Sequence, residues 1–356
     1  MVCYQAIGRS DRLAIISIHR ICTQMNVPSD VRKCVVFLGR DTDHGIRWCA
    51  TGFFVVVSQP AEDDEADSQY SHSYLITARH VIDGIRDLSH EGRVYVRLNL
   101  TSGGIKTVES QLSDWRFHPT KEVDAAALLV PKSWLKELDH SMLTEYSIAD
   151  DAVVQDHGIG PGQDVFITGL FINHYGQRRN IPIIRVGNIA AMPEEKVRMK
   201  LDRNTCISAH AYLIELRSIK GLSGSPVFTY RDSWEGPLTG ELTNMSNYSF
   251  TTGSRLIDQT PIFTTGTPSY YWLGLVHGHW DVEIVRSDIE DIDDGIKEYV
   301  NTGIAIVVPA TDVWEVLDHP DFVEHRGYLA KRAVATVQAS PDESDGNVDD
   351  SNRADH

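Results

Sequence analysis

This chain of 356 residues has no surplus of positive charge, no C-x-x-C pair and no apolar run long enough for a membrane. Its 33 Lys and Arg face 50 Asp and Glu, a formal net charge of −17. Nucleic acid and anionic lipid both demand a basic face, so neither is expected as a partner. The five cysteines, at 3, 22, 34, 49 and 206, cannot all be paired. Cys34 and Cys49 stand on either side of an expected hairpin loop, which leaves one bridge between them open. Reduced, half-buried thiols in a cytosolic protein are the simpler reading. No stretch approaches the roughly 20 apolar residues of a membrane helix. Near the N-terminus, the run Leu13-Ala14-Ile15-Ile16-Ser17-Ile18 follows Asp11-Arg12 and ends at His19-Arg20 without a small-residue cleavage site, unlike a secretory leader. A cytoplasmic location is expected.

What is present is a succession of short apolar segments with turn residues between them, the pattern of an all-β chain. Residues 1–30 lack a clean period, although Leu13, Ile16 and Ile21 fit a short helix. Cys34–Leu38 and Trp48–Val57 flank a loop at 39–45, and the acidic stretch 61–67 reads as a solvated hairpin tip. Tyr74–Thr77, Arg93–Leu98 and Gly104–Val108 continue the strands. Trp134–Leu138 is compatible with helix and serves as a connector. Gly158-Ile159-Gly160-Pro161-Gly162-Gln163-Asp164 is glycine-rich. It lacks the Gly-Lys-Ser/Thr ending of a phosphate loop and runs into a strand at 165–169, so a nucleotide site is rejected. Further strands are expected at 182–190, 211–216, 271–279 and 303–309, with Thr311 capping a short helix over Asp312–Leu317. The tail at 337–356 holds six acids and one arginine among Pro, Gly, Ser and Asn, a composition that predicts disorder.

Three stretches carry chemistry. Gly221-Leu222-Ser223-Gly224-Ser225-Pro226 sets a serine between glycines, which let a backbone turn sharply and bring N–H groups beside the hydroxyl. Tyr74-Leu75-Ile76-Thr77-Ala78-Arg79-His80-Val81 runs from an apolar strand to a histidine. Val123-Asp124-Ala125-Ala126-Ala127-Leu128-Leu129 leads from an aspartate into an apolar run. A serine needs a base to become a nucleophile and donors to hold the oxyanion that it creates. The order His80, Asp124, Ser223 excludes an α/β-hydrolase esterase, in which serine comes first.

These motifs resemble the chymotrypsin/trypsin-like serine peptidases, especially the bacterial branch near the HtrA proteases, over about Val35 to Pro309. The resemblance implies two six-stranded antiparallel β-barrels with the active site between them, and a short C-terminal helix. The expected division is an N-terminal extension at 1–30, a first barrel at 31–150 with His80 and Asp124, and a second at 151–318 with Ser223. A C-terminal segment at 319–336 and an acidic tail at 337–356 follow. It further implies a serine endopeptidase with His80, Asp124 and Ser223 as triad and the N–H groups of Gly221 and Ser223 as oxyanion hole. Val276, His277, Gly278, His279 and Gly303 would bind an extended peptide. The implied partner is a peptide or protein substrate, with no cofactor. Nothing in the sequence specifies an oligomeric state. Leu222 replaces the aspartate that receives a newly cut N-terminus in digestive relatives, so propeptide cleavage is not expected. His277 falls where relatives often carry serine, close to the aspartate. With His279 it shares a face at period two, but no carboxylate completes a metal-ligand spacing, so both are read as pocket lining and no metal is expected. A competing reading is a peptide-holding scaffold on the same fold. Of the two insertions, 232–269 is expected far from the nucleophile. The stretch 281–298, with eight acids against Arg286 and Lys297, either borders the pocket and favours basic peptides or is an exposed loop without a role.

Overall fold

The computed structural model describes residues 27–59, 70–200, 205–216, 221–230, 270–285 and 297–338. A short helix α1 (Ser29–Lys33) precedes β1 (Val35–Thr42), β2 (Gly45–Gln59), β3 (Tyr70–Thr77), helix α2 (Arg79–Leu88), β4 (Arg93–Asn99), β5 (Ile105–Gln111), β6 (Trp115–Phe117) and β7 (Ala126–Leu129). These strands form one antiparallel sheet in the order β5-β4-β1-β2-β3-β7-β6, curled as a half-barrel. Its centre is built from β-branched and aromatic residues in register. Phe53 faces Ile76, Phe54 faces Leu75 and Val55 faces Tyr74, all six of them buried.

Two short helices, α3 (Lys132–Leu135) and α4 (Asp151–Asp156), lead to the second half. Asp150 caps α4 by accepting the Val153 N–H at 2.8 Å. Then come β8 (Asp164–Gly169), β9 (Ile183–Ala191), the separate hairpin β10 (Lys196–Lys200) and β11 (Cys206–His210), β12 (Tyr212–Glu215), β13 (Pro226–Tyr230), β14 (Tyr270–Val285) and β15 (Lys297–Pro309). Six of these close into a barrel, β12-β15-β14-β13-β8-β9.

The apolar run that opens β14 follows from burial on both faces. Tyr271 and Leu273 point into the second barrel, while Tyr270 and Trp272 join the core of the first sheet. Trp272 meets Phe53 edge-on at 5.2 Å between ring centres. β14 is therefore a shared wall, and a strand in that position has no polar face.

The all-β class and the paired-barrel architecture hold, with differences in detail. The second barrel has the expected six strands. The first sheet has seven, and its edge strands β5 and β6 are not paired with each other. The expected loop at 39–45 is tighter, because β1 and β2 stay paired out to Thr42 and Gly45. Val35 faces Phe53 in that pairing, and Cys34 and Cys49 are both free thiols, so the open possibility of a bridge between them is removed.

At the C-terminus the chain turns into helix at Ala310, one residue before Thr311, whose hydroxyl bonds Asp312 rather than capping. Helix α5 (Ala310–Trp314) and a 3-10 turn (Glu315–Asp318) precede a 19-residue helix α6 (Pro320–Gln338), where the sequence reading placed a C-terminal segment without assigned structure and began a disordered tail at 337. Arg326 ties α6 to the first sheet, donating to the Tyr74 hydroxyl at 3.0 Å and the Leu317 carbonyl at 2.8 Å. The stretch 281–298, read as an insertion between two strands, is itself partly strand: Asp281–Val285 pairs with Lys297–Asn301, and 286–296 lie outside the described residues. The expectations for 1–26, 61–67, 232–269 and 339–356 lie outside the described residues. No helix among the described residues is long and apolar enough to cross a membrane.

Candidate active site

β3 ends at Thr77, Ala78 stays extended, and α2 begins at Arg79, so His80 sits in the first helical turn rather than on a strand. Val81, Ile82 and Ile85 bury one face of α2 and fix its orientation. Ala78 cannot cap the helix with its side chain. Asp124 does so from two residues before β7, its Oδ1 accepting the His80 N–H at 2.9 Å. Asp124 Oδ2 accepts from His80 Nδ1 at 2.6 Å. That bond places the ring proton on Nδ1 and leaves the Nε2 lone pair outward.

Asp124 is wholly buried, and its Oδ2 also accepts from His277 Nδ1 at 2.5 Å. Burial pushes this carboxyl up, but the charges and hydrogen bonds of His80 and His277 outweigh it and hold the group well below the usual carboxylate range. His277 thus lies against the aspartate, where the sequence reading put it, and the carboxylate that joins it comes from a distant segment rather than from a local ligand spacing. Ligand atoms of His80, Asp124 and His277 all lie within 4.8 Å of one another. The local cause is a β-bulge. β14 and β15 pair at Val276–Val307 and again at Gly278–Ile306, which leaves His277 as the extra residue, aimed at Asp124. The pairing slips again after His279, so simple period-two alternation fails across this stretch.

Ser223 lies in a turn bracketed by Gly221 (φ 103°) and Gly224 (φ 81°), both left-handed. A Cβ on Gly224 would fall 2.2 Å from the Thr51 carbonyl and 2.2 Å from the Thr77 hydroxyl, so the turn is pressed against the strand that precedes His80. The Gly224 N–H and the Ser225 carbonyl bond the two backbone groups of Val276, each at 2.9 Å. The Ser223 hydroxyl donates to the His277 carbonyl at 3.3 Å, not to His80. The two imidazole rings stand edge-on, 5.1 Å apart. Among the described residues no acceptor pairs with the N–H of Gly221 or of Ser223.

The remaining expected pocket residues separate. Val276 turns into the barrel core, whereas His279 is half-exposed. Gly278 and Gly303 have open space within 4 Å of where a side chain would stand.

Thr51 was missed by sequence reasoning. Wholly buried on β2, it donates its hydroxyl to the Gly221 carbonyl at 2.9 Å and accepts the Leu170 N–H at 2.9 Å. Its own N–H bonds the Ser223 carbonyl at 3.1 Å, and its carbonyl accepts the Thr77 hydroxyl at 2.7 Å. The available signal was one polar residue inside the apolar run Trp48–Val57. Arg97 was missed as well. It is buried on β4 without a carboxylate partner among its described contacts, and donates to Asn180 and the carbonyls of Tyr175, Gly176 and Gln177. This pins the loop whose Leu170 and Ile172 pack beneath Gly221.

No protein-family model matches the sequence, and no curated protein matches it. Among solved structures it is similar to the Rv3671c protease of M. tuberculosis in its active form, with 15% identity, a TM-score of 0.37, and 81% of each chain covered. The inactive form matches with 15% identity and a TM-score of 0.36 over 81% of this chain and 89% of that one. A serine-to-alanine mutant of Rv3671c from M. tuberculosis H37Rv gives 15% identity and a TM-score of 0.39 over 81% and 87%.

Proposed function

We propose that the protein is a serine endopeptidase. The observation that carries this reading is the buried Asp124 carboxylate, bonded to both the backbone N–H and Nδ1 of His80, beside a serine held between two left-handed glycines. In the proposed reaction Ser223 Oγ attacks the scissile carbonyl carbon and its proton passes to His80 Nε2. Asp124 stabilises the imidazolium, which then protonates the leaving amine. Water, deprotonated by the same nitrogen, hydrolyses the acyl-enzyme. The N–H groups of Gly221 and Ser223 receive the oxyanion, a donor of this kind contributing about 2.7–4 kcal/mol to the transition state.

The resting bond from Ser223 to the His277 carbonyl is compatible with this role. Catalytic hydrogen bonds are often long or misaligned in a ligand-free site and form fully when substrate arrives. An extended peptide would add to β14 around 277–279. Support comes from the pairing of β13, which accompanies β14 only as far as Leu275 and leaves β15 as the single described strand neighbour beyond it. Gly278 and Gly303 would leave room for a substrate side chain.

A fluorophosphonate probe tests the assignment. It should label the wild-type chain on Ser223, identified by mass, and Ser223→Ala should neither be labelled nor cleave any peptide in a library. A folded wild-type protein that takes no label would refute the peptidase reading and favour a scaffold that holds peptides without cutting them.

A further inference from the structure

Asp124 accepts two bonds from His80, and a second imidazole, that of His277, is aimed at the same carboxylate by a β-bulge. We propose that His80, Asp124 and His277 form a binding site for a divalent transition cation of the zinc type, and that occupancy of this site switches the active site off. The second half rests on the peptidase reading; the first does not.

The donor set is the first argument. Two imidazoles and one carboxylate are a combination that zinc takes as three protein ligands, leaving a fourth position open. These three come from α2, the approach to β7 and the bulge of β14, so the fold rather than local sequence brings them together. Asp124 contributes a negative charge where burial makes it count most.

Distances are the second argument. The ligand atoms now lie 2.5 and 2.6 Å apart as hydrogen-bonded pairs. Around a tetrahedral zinc with bonds of about 2.0–2.1 Å they would stand roughly 3.3 Å apart. The two Asp124 pairs must therefore each open by under an ångström, while all three ligand atoms already lie within 4.8 Å of one another. His80, whose side chain is 25% exposed against 6% for His277, is the member free to yield and the side from which an ion enters.

Proton bookkeeping gives the consequence. Each imidazole now carries its proton on Nδ1, which donates to Asp124. Binding a cation through Nδ1 requires that lone pair, so a ring that holds the ion carries its proton on Nε2. A His80 that carries its proton on Nε2 has no lone pair to accept the Ser223 proton, and acylation stops at its first step.

The test uses the full chain after treatment with a chelator. Zinc chloride is titrated calorimetrically into wild type, Ser223→Ala, His277→Ser and His277→Gln, each checked for an unchanged melting temperature in zinc-free buffer. Wild type and Ser223→Ala should take one tight zinc per chain. Both His277 variants should lose at least about tenfold in affinity, the scale on which even an outer partner of a metal ligand matters. Zinc should suppress fluorophosphonate labelling of wild type, with EDTA restoring it, while the ratio of labelling with and without zinc should return toward one in either His277 variant. Absence of tight zinc binding, or equal affinity in wild type and both variants, would overturn the site. Binding that depends on His277 but leaves labelling untouched would overturn the switch. A protein that binds zinc through His277 yet never labels Ser223 would refute the peptidase reading and leave the cation site standing.

Discussion

Replacing Thr51 with valine preserves shape and removes one hydroxyl, yet that hydroxyl serves both halves of the molecule. It donates to the Gly221 carbonyl and accepts the Leu170 N–H, both at 2.9 Å and both buried. Thr51→Val orphans these two groups, and each buried polar group left unpaired costs about 1–3 kcal/mol, so the expected loss is roughly 2–6 kcal/mol. The effect should reach Ser223, because the carbonyls of Gly221 and Ser223, held by Thr51, flank the Ser223 N–H on both sides. Thr51→Ser is the control: it keeps the hydroxyl and gives up one methyl, worth about 1 kcal/mol. Urea denaturation gives stability and the rate of fluorophosphonate labelling gives the state of the turn. Thr51→Val should fall in both, whereas Thr51→Ser should fall slightly in the first and little in the second. If valine and serine behave alike in both assays, Thr51 acts only as filler and the argument is wrong.

Two further outcomes are expected. Gly224→Ala places a methyl 2.2 Å from the Thr51 carbonyl and the Thr77 hydroxyl on a left-handed backbone, so labelling should be lost and the urea midpoint lowered; a wild-type midpoint would contradict the packing described here. Burial, with Arg326, His325 and Lys132 adding to it, pushes the His72 imidazole down to about 4. The folded chain then refuses a proton that the unfolded chain accepts below its ordinary value near 6.5. Wild type should therefore lose stability as pH falls from about 6.5 toward 4, and His72→Leu should flatten that slope; equal slopes would refute it.

The all-β class was legible in the short apolar segments and the turn residues between them, and the proposed triad His80, Asp124 and Ser223 stands out by type, order and the glycines around the serine. Legibility fails where geometry depends on two distant segments at once. The bulge at His277 arises from the relative register of β14 and β15, which no local pattern in either strand encodes. Thr51 looks like a stray hydroxyl in an apolar run until the Ser223 turn is brought against it. Helix α2 hides because Val81, Ile82 and Ile85 follow a β-strand directly and Gly84 interrupts them. The long C-terminal helix had a signal in Pro320, a residue suited to a first helical turn. The seventh strand of the first sheet, Trp115–Phe117, is three residues long and too short for any period to register.

The shared wall β14 also bears on how the chain is made. During synthesis the His80 and Asp124 segments emerge first and the Ser223 turn later, but that turn is bonded to Val276, and the barrel that holds it closes only when β15 lies against β12 and β14. Until those late residues leave the ribosome, Trp272 has no completed barrel behind it and His277 has no bulge to stand on. Arg326, later still, anchors the last helix on Tyr74. The grouping of His80, Asp124, His277 and Ser223 is therefore complete only once β15 has been made, and a chain cut short before Lys297 would lack it.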